Sequence, residues 1–503
     1  MNSPLLALRW AKSQRTIGAL VSLACGLVGC TTGPDFVRPA LPTIGAYDNS
    51  QARPVSQQTP PRIALGQTLP AQWWELFHAP TLADVLNQVV AANQTLAAAR
   101  ATLAQTREAI VQARSSWYPT LSLGASAGKS LAGYTTNQNA PGPAAFVSNQ
   151  FSIGPSVSYT FDIAGQTART VEQAEANAEN QQYQLAAAYL TLTGSAVTQA
   201  ITLAMTQKLL ATTEDLIRND EKNLTLVQKT FRIGTAAQTD VLIAQTQLEN
   251  DRTQLPALHQ QLSVARHALS ILVGQAPSQW TSPAFDFDAF KMPETIPVSL
   301  PSELVRQRPD ILSAEALLHA DSAAIGIANA QLYPSLTLTA SATYQSTLLN
   351  TLFQSANKVV SAATNGNWVV FQGGALESQK RAAMHTYDAQ LATYRQTVLT
   401  AFGQVADALR AIENDADSLA LAERALDIST QSLHLQRASY SAGKSNVLQL
   451  ITAENSFAQA NMNFVRVQGQ RLQNCVVLFT ALGGGWESKV GSGGPATQAE
   501  KLL

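Results

Sequence analysis

Tyr118-Pro119-Thr120-Leu121-Ser122-Leu123 returns as Tyr333-Pro334-Ser335-Leu336-Thr337-Leu338, 215 residues further along a chain of 503. In each copy a proline closes an Ala-rich helical stretch, because it lacks a backbone donor and forces the residue before it out of the helical region. In each copy a polar/apolar alternation then begins, the period-2 mark of a strand with two unlike faces. A second landmark repeats at matching spacing. Gly234-Thr235 precedes Val241-Leu242, and Gly443-Lys444 precedes Leu450-Ile451. From Tyr-Pro to the glycine is 116 residues in one copy and 110 in the other. Two landmarks at similar separation indicate a tandem duplication, with a period far too long for a solenoid.

Each copy reads as helix, strand pair, long helix, tight turn, long helix. The first opening helix is expected from about Leu82 to Ser116, with apolar positions such as Leu86, Val89, Leu96, Leu103 and Ile110. In Phe151 to Phe161 one strand face carries Phe, Ile, Pro, Val, Tyr and Phe, and the other Ser, Gly, Ser, Ser and Thr. Leu121, Leu123, Ala125 and Ala127 alternate with Ser122, Gly124 and Ser126, and Leu336 to Tyr344 repeats the pattern. A short fourth strand is expected near Trp368 to Phe371. Such alternation fits a soluble sandwich or a transmembrane barrel. Small uncharged polar residues suit a wet lumen, and aromatics near strand ends suit a membrane girdle. Four strands do not close a barrel, and a lipid-facing sheet with open edges leaves backbone groups unsatisfied. If these strands cross a membrane, several chains share one barrel.

The helices after the strands are unusually long. Ala168 to Arg232 contains no Pro and only Gly194; Leu376 to Ala442 contains no Pro and only Gly403. At 1.5 Å per residue each would reach roughly 100 Å. No single compact core buries a helix of that length, so each must pack along partners in a bundle or cylinder. Ala382, Ala383, Ala389 and Ala392 allow close approach of neighbours.

Composition agrees with extended helix contacts. Charged residues are 13% of the chain, against about 25% in an ordinary soluble protein. The formal net charge is −1, and nothing resembles the basic footprint of a nucleic-acid binder. The N-terminus reads as a processing signal. Arg9, Lys12 and Arg15 precede an apolar run, Ile17 to Val28, that is too short to span a bilayer. It ends in Leu27-Val28-Gly29-Cys30, which resembles a bacterial lipobox. The resemblance implies cleavage before Cys30, an S-diacylglycerol on its sulfur and an amide-linked acyl chain such as palmitate on its nitrogen. Several acyl chains anchor stably where one is marginal. Thr31, rather than Asp, follows Cys30, which favours an outer-membrane address. Of three cysteines, Cys25 leaves with the signal and Cys30 is acylated. Cys475 remains as a buried structural thiol, with no disulfide framework possible.

Several segments resemble outer-membrane efflux lipoproteins, the NodT-type branch of the TolC-like channels. They are Cys30-Thr31-Thr32-Gly33-Pro34-Asp35-Phe36-Val37-Arg38-Pro39, Trp73-Trp74 with Phe77, and Asn93 with Leu96. They include Leu300 to Ile311 with Ala314-Glu315 and Ile325-Gly326, and Ala481-Leu482-Gly483-Gly484-Gly485-Trp486. The resemblance implies an α+β membrane protein. As a homotrimer, its four strands per chain form a twelve-stranded β-barrel continued by a long periplasmic α-helical barrel. The expected organisation is a signal peptide over 1–29, a lipidated N-terminal and equatorial segment over 30–80 and a first repeat over 81–276. An equatorial linker over 277–301, a second repeat over 302–486 and a flexible tail over 487–503 follow.

Function follows from the same resemblance. The chain is expected to be a passive outer-membrane exit duct for small molecules. A periplasmic adaptor would dock at the helix tips and an inner-membrane RND-type transporter would supply the work. A channel for type I protein secretion is the alternative. The turns at Gly234 and Gly443 are the expected periplasmic tips, with Tyr440 and Leu448 lining the closed end. Relatives often carry an Asp nine residues after the second tip glycine; here that position is Thr452, leaving Asp240 as a tip acid. Asp162-Ile163-Ala164-Gly165-Gln166 also departs from the usual Asp-Leu-Phe/Trp-Gly-Arg-like turn. No enzyme or cofactor is expected. The six histidines form no metal pair, and Gly443-Lys444-Ser445 lacks the first glycine of a phosphate loop, whose place is Ala438.

Overall fold

The structure, a computed structural model, describes residues 31–40, 46–47, 62–133 and 145–486. The signal segment, Cys30 and the tail after Trp486 lie outside the described residues. The chain divides into two compact units: Met1–Arg38, Ala104–Asn180 and Glu315–Thr393 form unit 1, and Pro39–Leu103, Gln181–Ala314 and Tyr394–Leu503 form unit 2.

In chain order the elements are β1 (Arg62–Leu65), α1 (Pro80–Ala92), α2 (Gln94–Ser115), β2 (Thr120–Gly133), β3 (Ala145–Phe161), α3 (Gln166–Arg232), α4 (Gln238–Arg252) and α5 (Gln254–Leu272). The second half has β4 (Thr295–Val298), α6 (Pro301–Gln307), α7 (Pro309–Ala330), β5 (Ser335–Ser346), β6 (Lys358–Asn367), α8 (Ala375–Ser441) and α9 (Val447–Ala481). α3 and α8 each run 67 residues, as Pro-free stretches of good helix formers allow.

Three local readings of the sequence need correction. The opening helix is two helices, α1 and α2. Asn93 breaks it with an extended backbone, accepts from the Leu96 amide (3.1 Å) as an N-cap and donates to the Leu272 carbonyl (2.9 Å). The helix after the first turn is likewise divided, into α4 and α5 about Thr253. The fourth strand is Lys358–Asn367, not Trp368 to Phe371. Its register with β5 ends at Ser335 opposite Asn367, so Trp368 has no strand left to pair with and donates its indole N–H to the Leu332 carbonyl instead (3.0 Å).

Unit 2 holds the main core. Trp73 packs edge-on against Trp74, Phe77 and Phe479, and all four are buried. The closing segment is pinned to this core. Trp486 donates to the Gln307 carbonyl (2.7 Å), and Arg308, in the extended step between α6 and α7, donates to the Ala481 carbonyl (2.8 Å) and clasps Asp310. β1 and β4 add a short parallel pair.

Candidate functional site

The sheet of unit 1 has the order β2-β3-β5-β6, antiparallel throughout. Its register sets like residues opposite like. Leu121 faces Val157, Leu123 faces Pro155 and Ala125 faces Ile153, while Tyr159 and Phe161 face Leu338 and Leu336. On the other face hydroxyls meet hydroxyls: Ser122 with Ser156 (2.8 Å), Ser126 with Ser152 (2.8 Å), Thr160 with Thr337 (3.0 Å) and Ser341 with Ser361 (2.9 Å). Such cross-strand pairs satisfy polar groups within the sheet and leave small side chains on that face. Gly154 is required where β3 crosses β5, because a Cβ there would strike the Ala342 carbonyl and Thr343.

Phe353 packs on Tyr344 at one end of the apolar face (5.8 Å between ring centroids), and much of the rest is bare. Leu121 is 71% exposed, Leu123 75% and Val360 68%. Among the described residues, β2 and β6 leave both sheet edges unpaired. The strands are 14, 17, 12 and 10 residues long, against the roughly 9–11 needed to cross a bilayer. A long exposed edge is an association surface unless something pairs with it.

The junction after β3 is built by the segment that departs from the usual turn. Asp162 accepts from the amides of Thr167 (3.1 Å) and Ala168 (2.9 Å), capping α3, and Gly165 supplies the left-handed step at φ 76°. The strap that follows Cys30 lies along this junction. Thr32 donates backbone N–H and hydroxyl to the Ala164 carbonyl. Arg169, with its side chain 5% exposed, donates to the Thr32 and Gly33 carbonyls, to Asp35 (2.8 Å) and to Glu172 (2.7 Å). Phe36 stacks on His319 at 4.5 Å, His319 meets Glu172 (2.9 Å), and Arg38 meets Glu315 (2.6 Å). Gly326 leaves room for the Arg169 stem. Sequence reading singled out residues 30–39 by resemblance but gave no sign of their contact with the β3–α3 junction or of Arg169 as the clamp.

In unit 2 the two tight turns are similar in construction. Gly234 and Gly443 stand at φ 78° and 70°, each with open space around it. Each closes a helix by donating to a carbonyl three residues back, Phe231 and Tyr440 respectively (2.9 and 3.0 Å). Asp240 is a helix cap: its Oδ2 accepts from the Ala237 amide (3.0 Å) at the start of α4. Asn446 caps α9 through the Gln449 amide (3.0 Å). Tyr440 packs onto Leu433, Leu450 and Ala453. Leu448 is half-buried, and Thr452, exposed, donates its hydroxyl to the Leu448 carbonyl (2.9 Å). The residue before it, Ile451, packs with Val227, Val241 and Ala244, so α9 touches both hairpins.

Above the turns lies a feature that sequence reading missed. Asp220, Asp251 and Glu454 are all buried, and they come from three helices. Burial, then the neighbouring Asp251 and Glu454, push Asp220 up to about 8. No sequence signal joins residues so far apart; only the expectation that long helices pack side by side could have prompted a search. Among the described residues no group of three or more His, Cys, Asp or Glu is arranged to hold a metal ion.

The family model described as outer membrane efflux protein matches residues 85–275 and 300–484. The pyoverdine export outer membrane protein OpmQ of Pseudomonas aeruginosa is 31% identical over 83% of this chain and 88% of its own length. A toluene efflux pump outer membrane protein of Pseudomonas putida, TtgC, is 26% identical over 96% of this chain and 99% of its own. The crystal structure of the Campylobacter jejuni CmeC outer membrane channel superposes with a TM-score of 0.83 at 20% identity, covering 92% of this chain and 97% of that one.

Proposed function

Because the chain belongs to the outer membrane efflux protein family, we propose that it is the passive exit duct of a tripartite efflux pump, carrying small molecules across the outer membrane. The observation that carries this reading is the sheet: a largely bare apolar face, a hydroxyl-paired face behind it and, among the described residues, two open edges. Lipid suits the first and water the second. The edges need further strands, and the simplest source is more copies of the chain, three giving a barrel of twelve strands. Hydrocarbon tolerates no unpaired edge, so the barrel forms by association. α7 is the one described helix apolar enough for its length to cross a bilayer, and half of it is buried in the chain, which leaves the crossing to the strands.

In this reading the long helices of three copies form a periplasmic conduit, and the Gly234 and Gly443 turns are its inner end. A periplasmic adaptor docks there, and an inner-membrane transporter of the RND type supplies the energy that a duct without chemistry of its own does not. Cys30 carries the lipid anchor, and the strap that follows it, Thr31 to Arg38, lies beside the β3–α3 junction. Pyoverdine, toluene and cations appear in the relatives' names, so small molecules are the favoured cargo class.

Deleting the gene tests the role. Susceptibility to toxic small molecules should rise and return to normal on complementation. Unchanged susceptibility together with loss of proteins from the culture supernatant would replace this reading with type I secretion.

A further inference from the structure

Four helices of unit 2, and the first turn of α5, meet at a set of buried polar groups about 20 Å along α3 from the Gly234 turn. Glu454 on α9 accepts from Asn223 on α3 and from Arg437 on α8 (3.0 Å), one donor to each oxygen. Asp251 at the end of α4 accepts from Gln247 (2.8 Å) and from Gln254 on α5 (2.9 Å), again one donor to each oxygen. Gln247 also donates to Asn455 on α9 (3.1 Å). Both carboxylates thus have the donor sets that an anion takes.

Asp220 on α3 is different. It is 2% exposed, its Oδ2 meets no donor among the described residues, and its carboxyl faces that of Asp251. An ionised carboxylate so placed would keep one oxygen desolvated and without a donor, beside two like charges. A neutral carboxylic acid completes the set, because its O–H donates to Asp251 and supplies the missing hydrogen bond. The charged groups nearby do not relieve it. Arg437 is occupied by Glu454, and Arg252 is bound to Glu221 (2.7 Å) and Glu249 (2.8 Å) on the outer side.

We propose that this cluster is a proton-operated latch: the proton shared by Asp220 and Asp251 joins α3 to α4, and its release to solvent loosens both from α9. The balance is simple. Asp220 loses one proton to water and becomes an anion, and the Asp220–Asp251 hydrogen bond becomes a repulsion. The sign follows from linkage. The closed cluster holds a proton that a solvated Asp220 would give up, so proton binding favours closure and stability falls as pH rises. The fall runs from the ordinary carboxylate range, near 4, up to about 8, and levels off above it, where Asp220 is charged in both states. Over that window a one-proton difference shifts the closed-to-open equilibrium about tenfold per pH unit. The functional consequence, that alkaline conditions ease separation of the tip helices, rests on the duct reading given above.

Hydrogen exchange of the full-length protein in detergent tests the latch without relying on transport. After correction for intrinsic rates, amides in 216–224 and 247–255 should open about tenfold more readily per pH unit from about pH 5.5 to 7.5. In Asp220→Asn, whose amide donates to Asp251 at any pH, the slope should vanish. In Asp251→Asn the slope should also vanish, because the new amide stabilises an ionised Asp220. A slope retained in either variant overturns the proposal, as does a flat wild type. Should both variants fail to assemble, infrared titration of the wild type decides. A buried carboxylic acid C=O band lost between about pH 7 and 9 supports the latch, and its absence refutes it. Failure of the duct reading would show separately, as absence of conductance in bilayers at every pH.

Discussion

Arg169 shows how one side chain organises a surface. Its guanidinium serves two backbone carbonyls and two carboxylates, and Gly326 is the gap its stem fills. Arg169→Leu removes all of these donors and leaves the strap, among the described residues, tied through Ala164, His319, the Gly33–Gly326 contact and Arg38. The expected cost is about 1.5–3 kcal/mol, the range for hydrogen bonds to charged groups. Hydrogen exchange or proteolysis should show the strap released while the strands stay protected. Protection of residues 32–36 equal to wild type would refute the clamp. Little of this was readable beforehand. Asp35 and Arg169 are distant in sequence, and the strap's own residues carry no period. The segment Asp162 to Gln166 was visible as a departure from a pattern, but Asp162 itself keeps to that pattern, and its capping role appeared only with the Thr167 and Ala168 amides on its two oxygens.

At the scale of elements, legibility followed periodicity. β2, β3 and β5 have unlike faces, and alternation located all three. β6 does not: Val359, Ser361 and Ala363 stand on one face and Val360, Ala362 and Thr364 on the other, so the bulkier Trp368 to Phe371 carried the stronger strand signal. The long helices were legible because Pro and Gly are nearly absent from them, whereas the Asn93 break depends on a tertiary bond to Leu272. The two tight turns were legible from Gly234 and Gly443. Tyr440, however, sits in a small cluster with Leu433 and Leu450 within its own chain, so truncating it loosens α8 from α9 as well as clearing space. Under the duct reading, Tyr440→Ala with Leu448→Ala should raise single-channel conductance in planar bilayers severalfold. Unchanged conductance would place the constriction elsewhere.

For the whole molecule, strand count and the edge rule predicted an oligomer, and the isolated chain leaves that need in view: a sheet with bare apolar residues and two free edges among the described residues. Lipidation is auxiliary in this account. Cys30→Ser should reduce the amount of protein correctly placed in the outer membrane while leaving the conductance of each assembled channel intact. A changed unitary conductance would mean that the anchor shapes the pore. If separate chains close one barrel, the native mass of the protein extracted from outer membranes in mild detergent reports it directly. Three chains per particle are expected, each somewhat below the 53.6 kDa of the full sequence once the signal segment is removed. A stable, membrane-inserted monomer or dimer would contradict the shared barrel.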